Sequence, residues 1–477
     1  MALKIYNVLD GKKEEFTPLN EGKVNMYACG ITVSDNAHIG HAYQAVIFDT
    51  IRKYLRYKGY DVKYVRNYTD VDDKIIINAK KKDMNPIDYA EFYIAKTDKE
   101  MDALGLERPT IQSRATECIP DIIEFIEKLI EKGHAYASPE GNVYFRVSSF
   151  PEYGKLSHQQ IDENMIGVRK DVEPGKEDDR DFALWKTAGD DEIFWESPWG
   201  KGRPGWHIEC STMSMKYLGE TLDIHGGGKD LRFPHHENEI AQSESLTGKQ
   251  FSRFWMHNGL VKVNGQKMSK SLGNGITLED LLQKYNPDTV KMTMLLNNYR
   301  SDLNIVDGLF EKTEEQIYNF YKVLRDVKNT RGDTKADKES SEYKEVENNF
   351  VEAMDNDFNT SSALSYLFNY TSVITKALKD KEIEKAVNYA DAIVDLYEIL
   401  GLFQQDPDTV VNGIKNKYLS ESGLTVEEIN KLVEDRMKYK SDKNYEEADK
   451  IRNMLNEKGI VINDRSQTID WDVDLTK

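Results

Sequence analysis

The feature that most constrains the fold is an alternation of strand and helix patterns near the N-terminus. Residues 24–30 read VNMYACG, and this apolar run predicts a buried strand. Over residues 41–58 the apolar positions recur at helical spacing, and Gly59 is typical of a helix end. A second strand is predicted at residues 62–66. A strand, a helix and a strand in this order build a parallel sheet, which is an architecture suited to nucleotide binding.

The alternation stops at about residue 105 and resumes at Gly205. Residues 105–202 contain one helix pattern, a hairpin pattern at GNVYFRV and a Pro-, Asp- and Gly-rich stretch, and we predict that they form an insertion. A helix at 208–218, a strand at TLDIHGG, a helix at 235–245 and a strand at FWMHNGLV then complete the pattern. The sequence therefore predicts a Rossmann-type, doubly wound parallel α/β sheet with an inserted connective domain.

The rest of the chain is predicted to be mainly helical. Amphipathic runs at 308–328, 341–378 and 383–402 should pack as a bundle, with polar linkers at 329–340 and 405–423. A charged helix at about 425–458, the strand GIVIND and the tail RSQTIDWDVDLTK predict a small α/β end. The predicted domains are a catalytic domain of 1–104 and 203–275, a connective insertion of 105–202, a connecting segment of 276–308, a helical bundle of 309–404 and a C-terminal region of 405–477.

Charge and composition exclude several classes of protein. The net charge of −19 disfavours non-specific attraction to a polyanion, so any RNA contact must depend on a local basic and aromatic surface. No apolar run approaches the ~20 residues that span a bilayer, and the first residues lack the features of a secretory signal. The chain has only three cysteines, far apart, which argues against a disulfide framework. We therefore expect a cytoplasmic protein without membrane contact.

Two short motifs carry groups suited to binding phosphates. His38-Ile39-Gly40-His41 lies between a predicted strand and helix, where free N–H groups and the helix dipole favour an anion and Gly40 permits close approach. Lys267-Met268-Ser269-Lys270-Ser271 lies on a glycine-flanked loop that can close over a triphosphate. Each motif alone has a plain alternative, chance adjacency of histidines or a solvated basic loop. Their order around one predicted sheet favours phosphate binding.

A third set of residues has the chemistry of a metal site. His235 and Glu239 are four positions apart on a predicted helix, so both side chains should project from the same face. Cys29 and Cys210 are far apart in sequence and can meet only through folding. Two thiolates, an imidazole and a carboxylate suit Zn²⁺. The alternative is that the cysteines are ordinary buried apolar residues, as scattered cysteines often are.

At these motifs the sequence resembles the class I cysteinyl-tRNA synthetases, over essentially its whole length. The strings that carry the resemblance are MYACGITVSDNAHIGH (26–41), YVRNYTDVDDKI (64–75), GRPGWHIECSTM (202–213), DIHGGGKDLRFPHHENEIAQSE (223–244), KMSKSLGN (267–274) and MDNDFNTSSAL (354–364). The resemblance implies one bound zinc held by the positions Cys29, Cys210, His235 and Glu239. It implies that His38, His41, Lys267 and Lys270 are catalytic and that His38, Gly40, His41, Asp230 and Lys270 bind ATP. It also implies that Thr69, Trp206 and His225 line the amino-acid pocket.

The resemblance also implies a reaction and its partners. Cysteine would be activated with ATP and Mg²⁺ to cysteinyl-adenylate and then transferred to the terminal ribose of cysteine tRNA, by a protein expected to act as a monomer. The helical bundle would dock tRNA and the C-terminal region would read the anticodon. Tail residues that could contact RNA are Lys438, Lys440, Lys443, Arg452, Arg465 and Trp471. The alternative for these residues is a solvated helix face and a packed tryptophan.

Other readings of the sequence remain open at this point. Cys118 and the lysines at 80–82 are interpreted as a packed thiol and a solvated helix face. The family's persulfide-forming activity is associated with a K-I-I-x-K motif, and Asn78 replaces its second lysine here. A related ligase joins cysteine to an amino-sugar acceptor, but it needs no anticodon-reading region. A non-catalytic zinc-dependent RNA-binding protein would be expected to lack the histidines or lysines that are present here.

Overall fold

The computed structural model describes residues 2–158, 175–189, 192–268, 273–462 and 471–475. The chain divides into two compact units. The first unit comprises residues 1–281, 297–304 and 351–361, and the second comprises residues 282–296, 305–350 and 362–477. Among the described residues, every helix is too short or too polar to cross a lipid bilayer.

The secondary structure is numbered here in chain order. The strands are β1 (Lys4–Asn7), β2 (Lys12–Glu15), β3 (Lys23–Thr32), β4 (Asp61–Thr69), β5 (Ile111–Arg114), β6 (Ala135–Ala137), β7 (Val143–Phe145), β8 (Phe182–Thr187), β9 (Gly202–Pro204), β10 (Leu222–Gly228), β11 (Ser252–Asn258), β12 (Val261–Val263), β13 (Gln266–Lys267), β14 (Leu303–Ile305), β15 (Ile460–Ile462) and β16 (Trp471–Val473). The helices are α1 (Ile39–Tyr57), α2 (Asp73–Lys81), α3 (Pro86–Ala103), α4 (Ile119–Glu131), α5 (Trp206–Leu218), α6 (Glu237–Thr247), α7 (Leu278–Lys284), α8 (Pro287–Leu295), α9 (Leu309–Thr330), α10 (Ser341–Asp355), α11 (Thr360–Lys379), α12 (Ile383–Tyr397), α13 (Pro407–Ser422), α14 (Val426–Ser441) and α15 (Tyr445–Glu457).

A five-stranded parallel sheet forms the centre of the first unit, in the order β11-β10-β3-β4-β5. The residues Val24, Met26, Tyr27 and Ala28 of β3 are all fully buried. Such a continuous buried run is typical of a central parallel strand, because helices cover both faces of the sheet. The predicted doubly wound sheet followed by a helical region is confirmed. A four-stranded antiparallel sheet, β6-β7-β8-β9, lies within the segment predicted as an insertion.

The sequence patterns and the structure differ at the edge of this sheet. Strand β5 falls inside the predicted insertion of 105–202, yet it pairs in parallel with β4 as a member of the central sheet. At four residues, IQSR, β5 is too short and too polar to show a strand pattern.

In the second unit, the prediction of a polar linker at 405–423 is wrong, because helix α13 occupies most of this range. Asp406 caps this helix through Thr409 N, Pro407 is its first residue and Gly423 ends it in the left-handed conformation. The buried residues that make it amphipathic are Val410, Val411, Ile414 and Leu419. Polar residues lie between these apolar positions, so the helical periodicity of this segment was not recognised in the sequence.

Two long helix patterns are also interrupted. The predicted helix at 425–458 is two helices, α14 and α15, because Lys443 takes a positive φ of 59° between them. The run at 341–378 is divided into α10 and α11 at Asp357 and Phe358, which have φ angles of 68° and 50°. The Asp357 carboxylate accepts hydrogen bonds from the Tyr6 N–H at 2.8 Å and the Tyr299 hydroxyl at 2.8 Å. These contacts hold the break in place within the first unit.

Candidate active site with a metal-binding cluster

The four predicted metal ligands meet in the first unit. Cys29 lies in β3, Cys210 in α5, and Glu239 in the first turn of α6. One ligand atom from each of Cys29, Cys210, His235 and Glu239 lies within 4.8 Å of all the others, and each side chain is buried. Cys29 Sγ is 3.3 Å and His235 Nε2 is 3.1 Å from Glu239 Oε1. The geometry therefore places all four donors around one point.

His235 and Glu239 meet at their predicted four-residue spacing. His235 was predicted to share a helix with Glu239, and it lies in the short helical segment Arg232–His236 that leads directly into α6, after a break at Phe233, which has extended backbone angles. This segment follows β10, the neighbour of β3 in the sheet, after the short helical turn Lys229–Leu231. The imidazole and the carboxylate still approach each other because the chain becomes helical again directly after Phe233.

Burial and mutual charge decide the protonation of this cluster. Burial and the hydrogen bond with Cys210 raise the pKa of Cys29 well above its usual value. Burial acts in the same direction on Cys210, but the hydrogen bond from Cys29 and the nearby His235 lower its pKa to about 6. Burial disfavours the charged His235, yet Glu239 and Cys210 raise its pKa to about 10. Glu239 and Cys210 thus stabilise a positive charge on His235.

These residues fit a zinc ion by the chemistry of their donors. Two sulfurs, one imidazole nitrogen and one carboxylate oxygen form a mixed set that zinc accepts in tetrahedral geometry at ~2.0–2.3 Å. Two of the candidate ligands also contact a further side chain that can orient them, as is usual for metal sites. His225 Nε2 lies 2.7 Å from Glu239 Oε2, and His207 Nδ1 lies 3.0 Å from His235 Nδ1. A second set, Cys29, His225 and His236, shares Cys29 and offers one donor fewer.

The two histidines of the first motif cap helix α1. His38 Nδ1 accepts a hydrogen bond from Gly40 N at 3.1 Å, and His41 Nδ1 accepts one from His38 N at 3.4 Å. Their rings stack with centroids 3.6 Å apart. Both imidazoles therefore lie at a helix N-terminus, where the dipole favours an anion.

A cavity of about 450 Å³ adjoins the α1 N-terminus. The predicted residues that line it are His38, Gly40, His41, Trp206, Asp230 and Lys267. Lys270 lies outside the described residues. Thr69 and His225 are not among the described residues that line the cavity, and both are buried. His225 instead stacks on Trp255 at 4.4 Å between centroids and contacts Glu239, so it supports a candidate ligand.

Sequence reasoning missed several residues that contribute to this site. Gln44 and Lys74 line the cavity. Asn67 contacts Gly30 and Cys210, and buried Glu209 accepts a hydrogen bond from the Thr69 hydroxyl at 2.9 Å. The available signal was a polar residue in a strand or helix that is otherwise buried, because such a group must find a partner.

The predicted RNA-contacting residues are in the second unit. Lys438 and Lys443 are exposed, and Arg465 lies outside the described residues. Trp471 is partly buried; its Nε1 donates to Asn430 Oδ1 at 2.8 Å, and Lys415 Nζ lies 3.9 Å from the ring centroid. The indole is thus packed within the unit, which was the alternative considered for it.

Comparison with known proteins identifies the class. A family model described as the tRNA synthetases class I (C) catalytic domain matches residues 15–315, and a DALR domain model matches residues 349–404. Together with the parallel sheet and the histidine-capped helix, these matches define a class I aminoacyl-tRNA synthetase. Two curated relatives named cysteine–tRNA ligase, from Thermodesulfovibrio yellowstonii and Geobacter sulfurreducens, are 46% and 45% identical over 99% of this chain and 99% and 100% of their own. The chain belongs to the cysteine–tRNA ligase family, as the resemblance predicted.

Solved structures show the same fold at low sequence identity. The Mycobacterium tuberculosis methionyl-tRNA synthetase in complex with methionyl-adenylate has a TM-score of 0.59 and 15% identity, covering 82% of this chain and 96% of that one. A ternary complex of the Agrobacterium radiobacter K84 LeuRS has a TM-score of 0.59 and 12% identity, covering 84% and 86%. These likenesses support the fold.

Proposed function

We propose that the protein activates L-cysteine with ATP to cysteinyl-adenylate and transfers the cysteinyl group to the terminal ribose of cysteine tRNA. The observation that carries this proposal is the convergence of Cys29, Cys210, His235 and Glu239, in a chain 46% identical to a cysteine–tRNA ligase. The family accounts for the use of ATP, an amino acid and tRNA. The cluster accounts for the choice of amino acid.

Cys29, Cys210, His235 and Glu239 would hold one zinc ion per chain. When bound, zinc supplies a thiophilic centre that favours the deprotonated thiol of cysteine over the hydroxyl of serine. Such help is needed because a pocket that measures size alone separates near-isosteres by only ~100-fold. The buried Thr69 and the cavity-lining Trp206 would then position the rest of the amino acid.

The groups around the cavity would bind ATP. His38 and His41 would contact the phosphates at the α1 N-terminus, and Lys267 with Lys270 would neutralise charge that develops on the α-phosphate and pyrophosphate. Asp230, which lines the cavity, would hold the ribose, and Mg²⁺ bound with ATP would supply positive charge to the phosphates. In the proposed domain division, residues 309–404 would dock tRNA and residues 405–477 would read its anticodon. The protein would bind tRNA as a monomer.

The test combines zinc content with cysteine-dependent ATP–pyrophosphate exchange. We expect about one zinc per chain in the wild-type protein, and much less zinc and exchange in Cys210→Ser and His235→Ala. Cys118→Ser is the matched control, because Cys118 is equally buried but belongs to no metal-binding group among the described residues. Loss of the metal with unchanged activation kinetics would refute the proposal. Charging of an amino-sugar acceptor in place of tRNA would refute the assigned second substrate.

A further inference from the structure

The two adjacent strands β3 and β4 have a β-bulge at the metal cluster. Ala28 lies opposite Arg66, but Ile31 lies opposite Tyr68, so β3 has one residue more than β4 over this interval. Cys29 and Gly30 therefore share the single position of Asn67. A bulge bends its strand locally and changes the direction of its side chains, and Cys29 is one of the two residues in this bulge.

Side chains supply the hydrogen bonds at this bulge. Gly30 N donates to Asn67 Oδ1 at 2.8 Å, and the Cys29 carbonyl accepts from Gln44 Nε2. Gly30 also lies against the Asn67 backbone, since a Cβ added to Gly30 would be 1.5 Å from the Asn67 carbonyl oxygen. Buried backbone groups need partners, so the bulge depends on these two amides.

The Asn67 side chain has further contacts within the site. Its Oδ1 is 3.7 Å from Cys210 Sγ, and its Nδ2 donates to Thr69 Oγ1 at 3.4 Å. Asn67 is 1% exposed, so water does not compete for these contacts. The neutral Asn67 amide thus contacts Gly30, which follows Cys29, and the thiol of Cys210. It also contacts Thr69 of the proposed amino-acid pocket.

We infer that Asn67 is a positioning residue that fixes Cys29 and Cys210 for the metal through Oδ1 and fixes Thr69 for the amino acid through Nδ2. The inference rests on the proposed function. Loss of a group that orients metal ligands typically weakens metal binding roughly 10–100-fold. Metal affinity and cysteine affinity should therefore both depend on this amide, through different atoms.

Two variants separate the roles of the two atoms. Asn67→Leu is similar in size but loses both polar atoms, and we expect a zinc Kd weakened roughly 10–100-fold together with a raised KM for cysteine. Asn67→Asp keeps the acceptor for Gly30 N and loses the donor to Thr69, so zinc binding is retained while the KM for cysteine rises. The KM for ATP is unchanged in both. Ser113→Ala is the matched control, because Ser113 lies opposite Asn67 on β5 and is buried.

Zinc affinity is measured by chelator competition, and the KM values by ATP–pyrophosphate exchange. Folded Asn67→Leu with wild-type zinc affinity would overturn the inference, as would Asn67→Asp with an unchanged KM for cysteine. If Asn67→Leu does not fold, Asn67→Asp decides alone. Wild-type protein that binds no zinc would overturn the proposed function as well, which distinguishes the two failures.

Discussion

Zinc binding by the cluster should depend steeply on pH, because it must displace protons. In the metal-free cluster the pKa of Cys29 lies well above its usual value and that of His235 is about 10, so both hold a proton near neutral pH. The pKa of Cys210 is about 6 and that of Glu239 is held far below its usual value, since His225 and His235 outweigh the effect of burial. Ligation by two thiolates, a neutral imidazole and a carboxylate therefore releases about two protons at pH 7–8.

The magnitude follows from this proton count. Each released proton changes the apparent zinc Kd tenfold per pH unit, so two protons make binding ~100-fold tighter at pH 8 than at pH 7. This is about 2.7 kcal/mol per pH unit. The dependence should become steeper below about pH 6, where Cys210 also holds a proton. It should become weaker as the pH rises towards 10, where His235 loses its proton without metal.

Calorimetry in two buffers of different ionisation enthalpy counts the released protons, and chelator competition at several pH values measures the slope. Zinc affinity that is independent of pH between 7 and 8 would refute the protonation states derived from the buried cluster.

Three other substitutions test the packing around the site and the fold. Trp255→Ala removes a buried ring that stacks on His225, and we expect a loss of about 3–5 kcal/mol in urea unfolding together with weaker zinc binding; wild-type stability would contradict this. Gly30→Ala should abolish zinc binding, since its Cβ would overlap the Asn67 carbonyl oxygen, and retention of zinc by the folded variant would contradict the bulge. Gly413→Ala has no atom within 4 Å of the new Cβ and lies in α13, so it should stabilise this helix by about 1 kcal/mol, measured as a later unfolding transition; an earlier transition would contradict the placement of this helix.

Local patterns predicted much of the fold, since periodicity identified β3, α1 and β4 and the confirmed parallel sheet. They failed where burial depends on distant chain. Strand β5 is recognisable only through its pairing with β4, and α13 only through the surface that covers Val410 and Ile414. The break at Asp357 depends on Tyr6 and Tyr299, which no local window contains. Boundaries set by tertiary hydrogen bonds are therefore not readable from periodicity alone.

The candidate metal ligands also show what local sequence patterns can and cannot predict. Donor chemistry pointed to Cys29, Cys210, His235 and Glu239, but spacing argued only for the last two, which do meet at their four-residue spacing. What brings the four together is the order of the elements: β3 lies directly beside β10, α5 precedes β10, and α6 follows it after the short segments Lys229–Leu231 and Arg232–His236. The bulge between Ala28 and Ile31 includes the candidate ligand Cys29. A metal held there would join chain segments that meet only in the folded sheet, so zinc binding should be coupled to the folding of the first unit as well as to the choice of substrate.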